Sequence, residues 1–106
     1  EKSGLLRRPI IPDNCAHNAH MYYVLLPNQR VRAHVKATLQ NQGIFSTTHY
    51  EPLHNSEAGR KLGKISGGSL IHTESLARRI LRLPLWVGME QKDVDRVIDT
   101  LSSTLR

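Results

Sequence analysis

The stretch NQRVRAHVKATLQNQGIFSTTHYEPLH, running from Asn28 to His54, decides the fold. Asn28 offers a side-chain oxygen to free backbone N–H groups, which suits a helix N-cap. Val31, Val35, Thr38 and Leu39 then recur at helical spacing. Gly43 tolerates the left-handed backbone that closes a helix. These signals predict a helix over residues 29–42. Ile44 to His49 is β-branched and aromatic and reads as a strand. His49-Tyr50-Glu51-Pro52-Leu53-His54 follows directly and carries the polar rings of the region.

Upstream, Pro9 and Pro12 disfavour helix, so residues 1–19 read as an extended lead-in. His20 to Leu26 is aromatic and aliphatic on both faces, the pattern of a central strand. Downstream, the periodicity dissolves from Tyr50 to Thr73, and residues 55–72 read as a Gly-rich loop. Thr73 is placed to cap a short helix, Glu74 to Ile80. Leu81 to Leu85 reads as an edge strand, because Pro84 has no N–H for a central ladder. Val94, Val97, Ile98, Leu101 and Leu105 mark a closing amphipathic helix. Strand, helix, strand, loop, helix, short strand, helix is a small α/β (α+β) layer. We expect a sheet of about three strands packed with helices.

The whole chain has 106 residues, room for one domain. Lys and Arg number 15 against 9 Asp and Glu, a formal charge of +6. That excess permits a polyanionic partner without requiring one. No run of eighteen apolar residues is present, which excludes a membrane-spanning helix. Cys15 is the single cysteine, so no internal disulfide can form and a cytoplasmic setting is expected. The chain starts Glu1-Lys2-Ser3-Gly4, with neither Met nor an apolar leader, and we expect a piece of something longer.

Four clusters carry residue types suited to chemistry. Cys15, His17 and His20 have metal-ligand chemistry, with His49, His54 or His72 as the available fourth ligand. Structural zinc normally takes four ligands at defined spacings, so ordinary hydrogen bonding is the favoured reading and no metal site is nominated. His49, Tyr50 and His54 sit just past a strand, where a rigid element fixes polar groups toward a crevice. A turn in which Pro52 sets the backbone and the rings pack locally is the alternative. Gly59 to Ser69 has a superficial phosphate-loop look. Gly63-Lys64 is followed by Ile65 rather than Ser or Thr, which rejects a nucleotide hydrolase. Arg78, Arg79 and Arg82 suit phosphates, but no aromatic residues interleave with them. A basic nucleic-acid-binding module is therefore the second reading, and no nucleic-acid partner is the first. Paired carboxylates near the histidines are missing, since only Glu51 and Glu57 lie there.

Asn18-Ala19-His20-Met21-Tyr22-Tyr23-Val24, Gly43-Ile44 with His49-Tyr50-Glu51-Pro52-Leu53-His54, and Leu81-Arg82-Leu83-Pro84-Leu85 together resemble the C-terminal part of the DegT-type sugar-nucleotide aminotransferases, which depend on pyridoxal phosphate. The likeness runs from about Leu5 to Leu105. It implies the small C-terminal domain of the aspartate-aminotransferase fold (fold type I), spanning residues 1–106. It also implies transfer of an amino group from glutamate to C4 of a dTDP-4-keto-6-deoxy sugar. The complete enzyme is implied to be a homodimer with this domain packed on its own large domain. Pyridoxal phosphate and its lysine are implied to lie in that large domain; Lys36, Lys61, Lys64 and Lys92 match no such position. By the same analogy His49 and Tyr50, then His54, bind the nucleotide sugar without catalytic duty, and the piece alone is expected to be inactive. Glu90 stands where relatives often carry Ser or Thr, so a weaker cap is expected on the last helix.

Overall fold

A computed structural model describes residues 4–106. The elements in chain order are β1 (Tyr22–Leu25), α1 (Gln29–Asn41), a single 3-10 turn (Leu53–Asn55), α2 (Glu57–Leu62), α3 (Ile71–Arg79), β2 (Ile80–Leu83) and α4 (Gln91–Thr104). β1 and β2 pair antiparallel, with Tyr22 opposite Leu83 and Leu25 opposite Ile80. The helices pack against this ribbon, so the expected mixed α/β layer is present.

Helix α1 forms for the reasons its sequence advertises. The Asn28 side chain accepts the Val31 N–H at 3.0 Å. Val35 and Leu39, one turn apart, are fully buried. At the far end Gly43 takes φ 69°. This lets the Ile44 N–H reach the Leu39 carbonyl at 2.8 Å and the Gly43 N–H reach Gln40 at 2.9 Å, a Schellman closure. Ile44 thereby drops into the core beside Leu39. Helix α4 buries Val97 and Leu101 in the same core. Its start is better held than its Glu90 suggests, because the Asp93 carboxylate accepts the Glu90 N–H at 3.2 Å. Val24, Leu26 and Leu81 complete the cluster from the ribbon side.

Several boundaries depart from expectation. The third strand is reduced to one antiparallel bridge, Thr47 to Arg82. Ile44 and Ser46 are buried while Phe45 is 81 % exposed, so the alternation is real, but only Thr47 meets a partner. β2 is not an edge strand: Arg82 pairs with Tyr23 on one side and Thr47 on the other. Pro84 acts instead as the stop, since β2 ends at Leu83. β1 is flanked at both edges, by β2 and by a bridge from Arg7 to Leu25, which gives it the central position expected of it.

The Gly-rich region 55–72 is not one loop. Ser56 caps α2 by accepting the Gly59 N–H at 2.9 Å, and Glu57 pairs with Lys61 at 2.7 Å along it. No residue of α2 is buried, so it had no apolar face to betray it. Helix α3 begins at Ile71, two residues before Thr73, with the Ser69 hydroxyl accepting the Ile71 N–H at 3.3 Å.

Candidate functional site

The backbone of Thr47 is fastened to β2 by two hydrogen bonds. Arg82 N–H donates to the Thr47 carbonyl at 2.8 Å, and Thr47 N–H donates back at 3.2 Å. Two residues later the chain leaves the ribbon, and the His49 and Tyr50 rings lie side by side, centroids 4.0 Å apart and tilted by 32°. The peptide bond joining them is cis. His49 is half-buried, whereas Tyr50 is 70 % exposed. Burial chiefly, then the Arg82 guanidinium and His20, holds the His49 imidazole below the ordinary histidine value of 6.5. A neutral ring results at pH 7, with one nitrogen able to donate and the other to accept. Its Nδ1 is buried without a partner.

His54 stands apart from this pair. Its Nε2 meets the Glu74 carboxylate at 3.2 Å, tying the 3-10 turn to α3, and Glu74 also takes Arg78 at 3.4 Å. The turn separates two cavities. One, of about 220 Å³, is bordered by Tyr50, Glu51, Asn55, Glu74 and Arg32. The other, of about 820 Å³, is bordered by His54, Arg60, Lys64 and Ser66. The structure thus brings His49 and Tyr50 together, while His54 borders the other cavity and reaches Glu74.

Arg32 is a site residue that the sequence did not announce. From α1 it donates to the Ala77 carbonyl of α3 at 2.9 Å, while its Nε is buried without a partner beside the Tyr50 cavity. Its position next to Val31, on the stripe that buries Val35, is the available signal, and it places the residue without revealing its role. Ser46, also buried with an unpartnered hydroxyl, was equally silent.

The remaining clusters resolve differently. His17 accepts the Ala19 N–H at 3.0 Å and His20 bonds Asn18 at 2.6 Å, both local contacts. Among the described residues no three His, Cys, Asp or Glu side chains gather to hold a metal ion. The arginine cluster is dispersed: Arg79 donates to the Leu26 carbonyl at 2.8 Å, Arg78 pairs with Glu74, and Arg82 belongs to the ribbon. No helix among the described residues is long and apolar enough to cross a membrane.

A pyridoxal ring needs a lysine with a depressed pKa, set in a pocket or beside another cation. Lys61 and Lys92 are exposed and held by Glu57 and Glu90 at 2.7 and 2.6 Å. Lys64 is exposed and Lys36 lies half-buried along α1. These residues do not fit the cofactor, and no step through it is assigned to them. What the region can do is hydrogen-bond a polyhydroxylated or anionic ligand from a fixed strand end.

Known proteins resemble this chain over most of its length. The chain is 29 % identical over 96 residues to the dTDP-4-dehydro-2,3,6-trideoxy-D-glucose 4-aminotransferase of Saccharopolyspora spinosa, covering 91 % of this chain and 23 % of that protein. The structure of DesV from S. venezuelae, in complex with a ketimine intermediate, superposes with a TM-score of 0.82 at 30 % identity, covering 98 % of this chain and 28 % of DesV. The aminotransferase TlmJ from Streptoalloteichus hindustanus gives 0.81 at 29 % identity over 96 % of this chain and 26 % of TlmJ. The chain therefore spans about a quarter of the length of these relatives. These neighbours are aminotransferases of fold type I, and this small mixed α/β unit has their fold over the matched length. Residues 3–102 match the sequence profile of the DegT/DnrJ/EryC1/StrS aminotransferases, and the chain belongs to that family.

Proposed function

We propose that this chain is the small C-terminal domain of a pyridoxal-phosphate-dependent sugar-nucleotide aminotransferase, and that its strand-end segment forms one wall of the nucleotide-sugar site. The supporting observation is the fastening of Thr47 to Arg82, which holds the adjacent His49–Tyr50 ring pair at the end of a rigid ribbon. Tyr50 presents a phenol to solvent and His49 a neutral imidazole beside it. Each hydrogen bond to a sugar hydroxyl contributes about 0.5–1.5 kcal/mol. His54 supports the wall through Glu74. When bound, pyridoxal phosphate supplies the electron sink for amino transfer, and it belongs to the part of the enzyme outside this chain.

The finer reading is amino transfer from glutamate to C4 of a dTDP-4-keto-6-deoxy sugar, as a dTDP-4-amino-4,6-dideoxygalactose transaminase would perform it. A product of that kind feeds enterobacterial common antigen and lipopolysaccharide biosynthesis. The relative named for 4-amination of a dTDP-linked sugar supports the dTDP and C4 parts of this reading. A homodimeric, cytoplasmic parent enzyme and an inactive, monomeric isolated domain complete the proposal. The test is to express the full-length gene product, load it with pyridoxal phosphate, and follow conversion of dTDP-4-keto-6-deoxyglucose with glutamate. Stoichiometric cofactor and turnover are expected. A protein that binds no cofactor and transfers no amino group sinks the reading.

A further inference from the structure

The larger cavity beside the 3-10 turn has no part in the strand-end wall. It is bordered by Leu53, His54, Arg60, Lys64, Ser66 and their neighbours, and no carboxylate is among its lining residues. Of the acidic side chains nearest in sequence, Glu57 is engaged by Lys61 and Glu74 by His54 and Arg78, while Glu51 borders the other cavity. Among the described residues Arg60 and Lys64 have no ion-pair partner. Two cations therefore flank one cavity of about 820 Å³ with nothing on its walls to neutralise them.

The backbone that carries Arg60 is also held in place. A Cβ added at Gly59 would lie 1.7 Å from the Leu53 carbonyl oxygen, so α2 rests directly on the turn. The Ser56 hydroxyl locks the same contact, donating to the Leu53 carbonyl at 2.7 Å while accepting the Gly59 N–H. Lys64 comes four residues after Arg60, just past the Gly63 cap where the chain turns extended. Ser66 adds a hydroxyl to the same wall. A guanidinium and an ammonium on the wall of one cavity suit an anion with two charged centres, whereas in the Tyr50 cavity the arginines Arg32 and Arg78 are offset by the carboxylates Glu51 and Glu74.

The geometry points to Arg60 and Lys64 as a clamp for the diphosphate of the nucleotide sugar, whose sugar end lies across the turn against Tyr50. The assignment rests on the reading under Proposed function for the identity of the substrate, but its own test is independent of turnover. Amide chemical shifts of the 106-residue chain are followed during titration with inorganic pyrophosphate, and separately with orthophosphate. Pyrophosphate is expected to move the amides of residues 59–70 and to bind more tightly than orthophosphate. Arg60→Gln and Lys64→Gln should each weaken it about tenfold, as expected for loss of a charge-assisted hydrogen bond. Lys61→Gln, whose ammonium is already paired, should change it less than about twofold. All three side chains are exposed, so the variants keep the fold. Shifts scattered over Arg78 and Arg96, equal weakening by Lys61→Gln, orthophosphate binding as tightly, or no binding at all overturns the clamp. Amino transfer by the full-length protein with KM unchanged in the Arg60 and Lys64 variants also overturns it, while leaving the proposed function standing. Pyrophosphate binding without amino transfer does the reverse.

Discussion

Thr47 and Arg82 exchange both backbone hydrogen bonds, and this single bridge is the only strand-type pairing between the His49–Tyr50 segment and the ribbon among the described residues. Thr47→Pro removes one donor and leaves the Arg82 carbonyl unmatched at a half-buried position. A loss of about 1–3 kcal/mol is expected. Thr47→Val, which keeps the N–H, should cost well under that. Urea midpoints of the two variants check the prediction, and equal midpoints would contradict it.

The core is small, so single truncations weigh heavily. Leu81 is fully buried between β1 and the helices. Leu81→Ala should cost about 2–5 kcal/mol, a large share of the roughly 5–15 kcal/mol of a domain. Val87, wholly exposed on the turn after β2, provides the control: Val87→Ala should leave the thermal midpoint unchanged. The measurement is thermal unfolding of both proteins side by side.

Most of the scaffold was legible because burial writes periodicity into sequence. Val35 and Leu39 on α1, and Val97 and Leu101 on α4, announce their helices at the spacing by which they reach the core. Asn28 and Gly43 mark the ends of α1 through backbone chemistry that acts locally. Helix α2 buries nothing, so only its Ser56 cap and its Glu57–Lys61 pair were on offer, and glycines at 59 and 63 argued against helix. The rank of β2 in the ribbon was unreadable for a different reason. Pro84 reports where pairing must stop, not how many neighbours the preceding residues have. Arg32 and Glu74 matter through contacts 45 and 20 residues away in sequence, to Ala77 and His54, which no local pattern encodes. The His49–Tyr50 pair was visible as residue types at a strand end; that His54 borders a different cavity from Tyr50 was not.

His49 sets a pH dependence. Its imidazole titrates below 6.5 in the folded chain, chiefly through burial and then through Arg82 and His20. Between the folded and unfolded values the unfolded chain binds more protons, so this group's contribution is complete above about pH 6.5 and is lost as pH falls toward the folded value. Stability should therefore decline on acidification through that window, and His49→Gln should flatten the decline. Arg82→Gln should raise the His49 titration midpoint toward 6.5, read from its ring proton shifts. An unmoved midpoint would remove the electrostatic part of the explanation.

The His54–Glu74 contact joins the turn to α3 with a half-exposed carboxylate. Solvent screening limits such a pair to about 0.2–1 kcal/mol. A double-mutant cycle with His54→Ala and Glu74→Ala should return a coupling in that range. A coupling near zero would mean that the turn is held by α2 and its Gly59–Leu53 contact alone.

The central claim is that the strand-end segment faces the nucleotide sugar. The most direct measurement is the pair of KM values, for nucleotide sugar and for glutamate, in the full-length enzyme carrying Tyr50→Phe. Loss of one hydroxyl hydrogen bond predicts a KM for the nucleotide sugar raised by roughly two- to tenfold, with the glutamate value unchanged. An unchanged nucleotide-sugar KM, or a rise confined to glutamate, would contradict the account.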